Sequence, residues 1–163
     1  MENLENIIKK IIKDINVELL EEFKENFIRK GFFQQGEWKH SQRGKQGRTM
    51  LNTGNLRDSF TGTIKGTSIH FSSSLPYANI HNEGGEIIVT QRMKNFFWAK
   101  HIETKNVNAV EAEFFKAMAL KKVGSKIIIP QRQFIGDHPK VHQICEQIAI
   151  ANLKSYFETL NTI

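Results

Sequence analysis

The sequence predicts an α+β domain: a small, mainly antiparallel β-sheet of about four strands, packed by long N-terminal and C-terminal helices, with a helical arm inserted between two strands. Three observations predict it. Apolar residues recur every three or four positions at both ends of the chain, short β-branched or alternating runs lie between them, and an aromatic segment with helical spacing interrupts the last two of those runs. At 163 residues the chain has the length of one domain, so a single unit over 1–163 is expected.

From about Leu4 to Lys30, the residues Leu4, Ile8, Ile11, Ile15, Leu19, Phe23 and Phe27 draw one stripe along a helix, with Lys9, Lys13, Glu18, Glu22 and Lys24 mostly off it. Gly31 stands where a left-handed cap would stop that helix. A helix this long needs a sheet or a neighbouring subunit to cover its stripe. Next comes a flexible basic loop, about 31–50. Counting Arg29 and Lys30 at its edge, Lys39, Arg43, Lys45 and Arg48 stand against Glu37 alone, a net of +5 in a chain whose total is +6. With Gly31, Gly36, Gly44 and Gly47 in it, the loop suits phosphate or an acidic partner surface, or solubility alone.

Thr53 and Gly54 read as a turn or short helix start. Phe60, Ile64, Ile69 and Phe71 then alternate with polar residues on either side of Gly66, the pattern of a hairpin with one buried face. Ile87-Ile88-Val89 and Ile127-Ile128-Ile129 are two further strands, and Pro130 ends the second because it has no N–H to donate. The arm between them, about 91–125, places Met93, Phe96, Phe97 and Trp98, then Phe114, Phe115, Met118 and Leu120, on two helical pieces separated by the polar stretch Glu103 to Asn108. So many aromatics on so small an arm call for a surface to cover, such as a partner subunit. The last helix runs from about Pro139 to Leu160, with Asp137 as N-cap, Pro139 in the first turn, and Val141, Ile144, Cys145, Ile148, Ala149, Leu153, Phe157 and Leu160 on its apolar face.

Several function classes recede on composition. No apolar run approaches the roughly 20 residues that span a bilayer, and the N-terminus lacks a signal-peptide plan, so a soluble protein with no membrane partner is expected. Cys145 is the single cysteine, which leaves no intramolecular disulfide or cysteine-based zinc site, and its neighbours Ile144 and Ile148 mark a packed thiol. The stretch PYANIHNEGG, Pro76 to Gly85, sets a tyrosine, a histidine and a glutamate beside two glycines. His81 and Glu83 are two apart, which puts them on different helical faces, and neither HExxH nor GxSxG is present. The loop therefore reads as scaffold: Tyr77 and Ile80 press it on the core, His81 and Asn82 bond backbone groups, and Gly84-Gly85 admit positive φ. His138 and His142, four apart, lack a third ligand, and the glycines around Lys45 lack the spacing of a phosphate loop. No catalytic residue, cofactor or metal is expected. A basic nucleic-acid-binding protein is the alternative, with Trp38 and Phe33 as exposed aromatics among Arg and Lys, although no helix-turn-helix, RNP or zinc pattern is present.

Read together, Trp38, Arg48 and Leu51, then Thr53-Gly54-x-Leu56-Arg57-x-Ser59, then Tyr77-Ala78-x-Ile80-His81-Asn82-x-Gly84-Gly85, then Pro130-x-Arg132-x-Phe134-Ile135-Gly136 resemble the phage virion morphogenesis family, the tail completion proteins similar to the G protein of phage Mu. The resemblance runs in order from Trp38 to Gly136. It implies a non-enzymatic structural protein of a tailed phage or prophage, acting in tail completion or head-tail joining. By analogy with neck and tail-end proteins, it implies a homo-oligomeric ring, often sixfold, in contact with other neck or tail proteins. Its place would be the virion neck or tail end, and the bacterial host cytoplasm during assembly. The structural motif residues would be Gly54, Leu56, Tyr77, His81, Gly84, Gly85, Pro130, Arg132 and Phe134, with Arg132 in a fixed salt bridge or an intersubunit contact. Arg29, Lys30, Lys39, Arg43, Lys45 and Arg48 would face phage DNA, without sequence preference, or an acidic partner.

Overall fold

The computed structural model of the chain describes residues 4–33, 36–39, 50 and 53–161. Of the residues singled out above, Arg43, Gly44, Lys45, Gly47, Arg48 and Leu51 lie outside that set. The described elements are α1 (Leu4–Arg29), α2 (Asn55–Asp58), β1 (Phe60–Lys65), β2 (Ser68–Ser73), α3 (Ala78–Glu83), β3 (Gly85–Ile88), α4 (Gln91–Thr104), α5 (Ala109–Ala119), β4 (Lys126–Ile129) and α6 (Pro139–Asn161). This is the expected α+β fold with long terminal helices and a helical insertion between two strands.

The sheet departs from expectation. Instead of one sheet of about four strands there are two antiparallel pairs, β1 with β2 and β3 with β4. In the first, Phe60 faces Ser73 and Ile64 faces Ile69; in the second, Gly85 faces Ile129 and Ile88 faces Lys126. The pairs stay apart because the Pro76–Gly85 stretch, expected to be a simple chain reversal, folds into the six-residue helix α3 between them. After Pro130 the chain leaves the ladder, and 131–136 runs on without regular structure.

α1 lies against β1 and β2 with its C-terminal half and antiparallel to α6 with its N-terminal half. Leu19, Phe23, Asn26 and Phe27 are buried as the stripe requires, but at the other end Ile7 is buried while Leu4 and Ile8 are exposed. The buried direction rotates along the helix because the partner changes from hairpin to α6. Between α1 and α6, Asn152 Nδ2 donates to Asp14 Oδ2 at 3.1 Å. The Lys10 ammonium, 3.0 Å from Asp14, also bonds Asn152.

α1 ends in a Schellman motif: the Gly31 N–H reaches the Asn26 carbonyl at 3.1 Å, and the left-handed residue is Lys30, φ 55°, not Gly31. Gly31 is needed for another reason, since a Cβ there would collide with the carbonyl oxygen of Gly36. At the start of α6 the His138 carbonyl accepts from Val141 N, and its ring nitrogen accepts from Lys140 N, so His138 occupies the cap expected of Asp137. Pro139 follows in the first turn.

Two buried clusters meet at α1. One joins Phe27, Trp38, Leu56, Phe60, Ala78 and Phe134; the other joins Leu19, Phe23, Phe32 and Ile144, with Cys145 half-buried beside them. Burial pushes the Cys145 thiol up, as a packed thiol should be. Among the described residues no helix is long and apolar enough to cross a membrane.

Candidate functional site

The motif residues converge on one irregular segment, Pro130 to Gly136. Leaving β4, this stretch has no strand neighbour, so its backbone groups need other partners. Arg132 N–H donates to the His81 carbonyl at 2.8 Å. Trp38 Nε1 donates to the Gln133 carbonyl at 3.0 Å, and Asn26 Nδ2 to the Phe134 carbonyl at 3.0 Å. Asn82 Oδ1 accepts from Phe134 N at 3.0 Å and from Ile135 N at 3.1 Å. Five hydrogen bonds from three distant parts of the chain thus replace a ladder.

Asn26 has a second use: its Oδ1 accepts from Phe33 N at 3.0 Å, which ties the turn after α1 to the same knot. The side chain is completely buried and both halves of its amide are satisfied. Around it pack the rings of Phe27, Phe60 and Phe134, with centroids 4.9 to 5.9 Å apart. Leu56, carried on α2 behind its N-cap Gly54, closes the same cluster. Gly84 has φ 75° and lies so near the Gln131 backbone nitrogen that a Cβ would approach it to 2.9 Å, while Gly85 opens β3. Pro130 ends β4 as expected.

The geometry corrects several expectations. Tyr77 is 42% exposed and meets His81 edge-on at 6.0 Å; the residue pressed into the core is Ala78. Arg132 is buried, and among the described residues no carboxylate pairs with it, in place of the salt bridge considered above. Its Nε and Nη2 donate to the Lys39 carbonyl at 3.2 and 3.1 Å, and burial pulls its pKa down. Trp38 is buried rather than exposed, and Phe33 is half-buried, stacked on His138 at 4.8 Å. His142 Nε2 lies 2.7 Å from Asp137 Oδ1, away from His138, and among the described residues no three potential ligands cluster for a metal. Of the six basic residues expected to face DNA or a partner, three are described: Arg29 is held by Glu22 at 2.8 Å, Lys30 is half-buried in the turn, and Lys39 is exposed.

A cleft of about 220 Å³ opens beside the knot, between Phe60, Phe71, Leu75, Pro76 and Ile135, with Ser72, Ser73, Asn79 and Asn82 as its polar members. Among the described residues no titratable side chain lines it. The arm is built differently. α4 and α5 pack on each other, Phe97 stacking on Phe115 at 6.3 Å and His101 Nδ1 bonding the Ala112 carbonyl at 2.9 Å. Thr90 and Asn108 cap the two helices through their side chains. α4 buries none of its residues, and Phe96, Trp98, Ile102, Val107 and Val110 are exposed.

Asn82, Trp38, Arg132 and Phe134 thus fasten one segment, Tyr77 stays exposed, and an aromatic arm extends beyond them. The profile of the phage virion morphogenesis family matches residues 9–154, and the chain belongs to that family. Its work lies in the building of phage virions. The match extends past the Trp38 to Gly136 motifs into most of α1 and α6. No curated protein and no solved structure matches the chain.

The family resemblance names Arg132 and Phe134, and the residues of the 76–85 stretch name His81 and Asn82, as parts of this region. Asn26 was missed, although a polar residue beside Phe27 on the apolar stripe was the available signal.

Proposed function

We propose that the protein is a non-enzymatic component of tail completion or head-tail joining, located at the virion neck or tail end and working as an oligomeric ring with other neck or tail proteins. The observation that carries this reading is the use of the motif residues. His81, Asn82, Trp38, Arg132 and Phe134 hold the 130–136 segment in place, which is fastening and not chemistry. Among the described residues the neighbouring cleft offers no acid or base, and the arm leaves Phe96, Trp98, Ile102, Val107 and Val110 exposed for a partner.

The nucleic-acid alternative loses Trp38 to the core and Arg29 to an ion pair. What stays with it is the net charge. Sequence-blind contact of Lys39, Arg43, Lys45 and Arg48 with DNA fits either reading.

Electron microscopy of induced lysates from a phage or prophage lacking the gene tests the proposal. Filled heads separate from tails, or tails with faulty ends, are expected; normally joined particles would refute it. In complementation, Arg132→Ala and His81→Ala are expected to lower folded protein and joined particles together.

A further inference from the structure

We propose that the α4–α5 arm of one copy docks on the outer face of α1 in a second copy, so that successive copies join head to tail. This deepens the ring reading above and rests on it. The arm is a basic object: between Gln91 and Ser125 it carries seven Lys or Arg and three Glu, a net of +4. Arg92, Lys94, Lys105, Lys121 and Lys122 make none of the ion pairs found in the structure, whereas Lys100 and Lys116 pair with Glu103 and Glu113. Trp98 and Ile102, one turn apart, are exposed on α4, and Val107, 86% exposed, and Val110 extend that apolar surface over the tip.

The occupant follows from sign. Exposed apolar residues outside the arm lie on several surfaces, and the charge beside them differs: on β3 and β4, Ile88 and Ile128 stand with Glu86 and Lys126, which pair and cancel. Where the start of α1 meets the end of α6, Leu4, Ile8, Phe157 and Leu160 are exposed, but Lys9, Lys10 and Lys13 outnumber Glu5 and Asp14, and α6 is neutral. Farther along α1, Val17 and Ile28 are 54% and 53% exposed and share one stripe with Glu21 and Lys24 at 100° per residue, flanked by Glu18 and Glu25. From Val17 to Ile28 the helix has four glutamates and one lysine. With Arg29, Arg57 and Asp58 alongside, the face is still net −2. A positive apolar finger and a negative, partly apolar strip of α1, the groove in which it would lie, are distinct surfaces of one chain and form a heterologous contact, which closes to a ring when its rotation allows.

Two variants and their mixture test this in sedimentation velocity, with circular dichroism to show that each is folded. Trp98→Glu with Ile102→Glu spoils the finger; Val17→Lys with Glu21→Lys spoils the groove. The parent chain is expected to self-associate, and less so as salt rises. Each variant alone is expected to associate at least tenfold more weakly. Mixed one to one, they retain one good finger and one good groove, and are expected to form a dimer that grows no further. Assembly of the groove variant at parental strength, a mixture without dimers, or a parent that stays monomeric would each overturn the docking. A monomeric parent whose finger variant loses only salt-sensitive binding to duplex DNA would give the arm to DNA instead. The ring-component reading fails separately: if phage carrying the finger variant join heads and tails normally while the purified parent assembles as expected, the contact stands and the completion role falls.

Discussion

Phe134 and Phe96 are the same residue in opposite circumstances. The first is 1% exposed among Phe27 and Phe60, with its own amide and carbonyl bonded by Asn82 and Asn26. The second is 54% exposed on a helix that buries nothing. The knot converts apolar area into stability of a single chain; the arm leaves much of its apolar area exposed. Mutations should therefore separate stability from assembly according to region.

The sharpest division is expected at the two phenylalanines. Phe134→Ala removes a ring from a filled aromatic cluster and is expected to lower unfolding free energy by about 3–5 kcal/mol, read from urea denaturation. Phe96→Ala is expected to move it by less than about 0.5 kcal/mol. Equal losses at both sites would abolish the contrast. Asn26→Ala comes next, because the Phe134 carbonyl and the Phe33 amide both lose their partner in a buried site; about 2–4 kcal/mol is expected in the same assay. Gly84→Ala forces a side chain into left-handed backbone against the Gln131 nitrogen, and about 1–3 kcal/mol is expected.

The smallest effect lies between the helices. Lys10 first, and the Asn152 amide with it, hold the Asp14 carboxyl below the usual aspartate range. A carboxyl lowered on folding stabilises above its unfolded value, 3.8, and loses that contribution as pH falls through its folded value. Both groups are well exposed, so the contribution is expected to stay below about 1 kcal/mol. Asp14→Asn should flatten the acid side of the stability profile below pH 4. An unchanged slope would show that α1 and α6 are held by apolar contact alone.

Periodicity made the helices and the arm legible, because a 3.6-residue repeat is a local property of the sequence. Turn chemistry made Gly66, Pro130 and Pro139 legible for the same reason. The split of the sheet was not: whether Phe60–Lys65 and Gly85–Ile88 share a ladder depends on what lies between them, and α3 is too short to show a repeat. Nor was the route of 131–136 legible, since its partners are side chains from α1, α3 and the turn at Trp38. The family resemblance groups His81, Arg132 and Phe134, but not the side-chain partners that hold them. Tyr77 was overvalued, because its size suggested an anchor where Ala78 does the packing.

The arm leaves and rejoins the body at a single clasp, where Val89 N donates to the Ser125 carbonyl at 2.8 Å and Gly124 N to the Val89 carbonyl at 2.9 Å. These bonds close the root of the stretch from Thr90 to Val123. One more turn in each helix would carry the tip about 5.4 Å farther out, and the added loop length costs little closure entropy. Reach can thus be set by selection separately from folding. If the arm docks as proposed, neighbouring subunits that stand farther apart call for a longer arm on the same body.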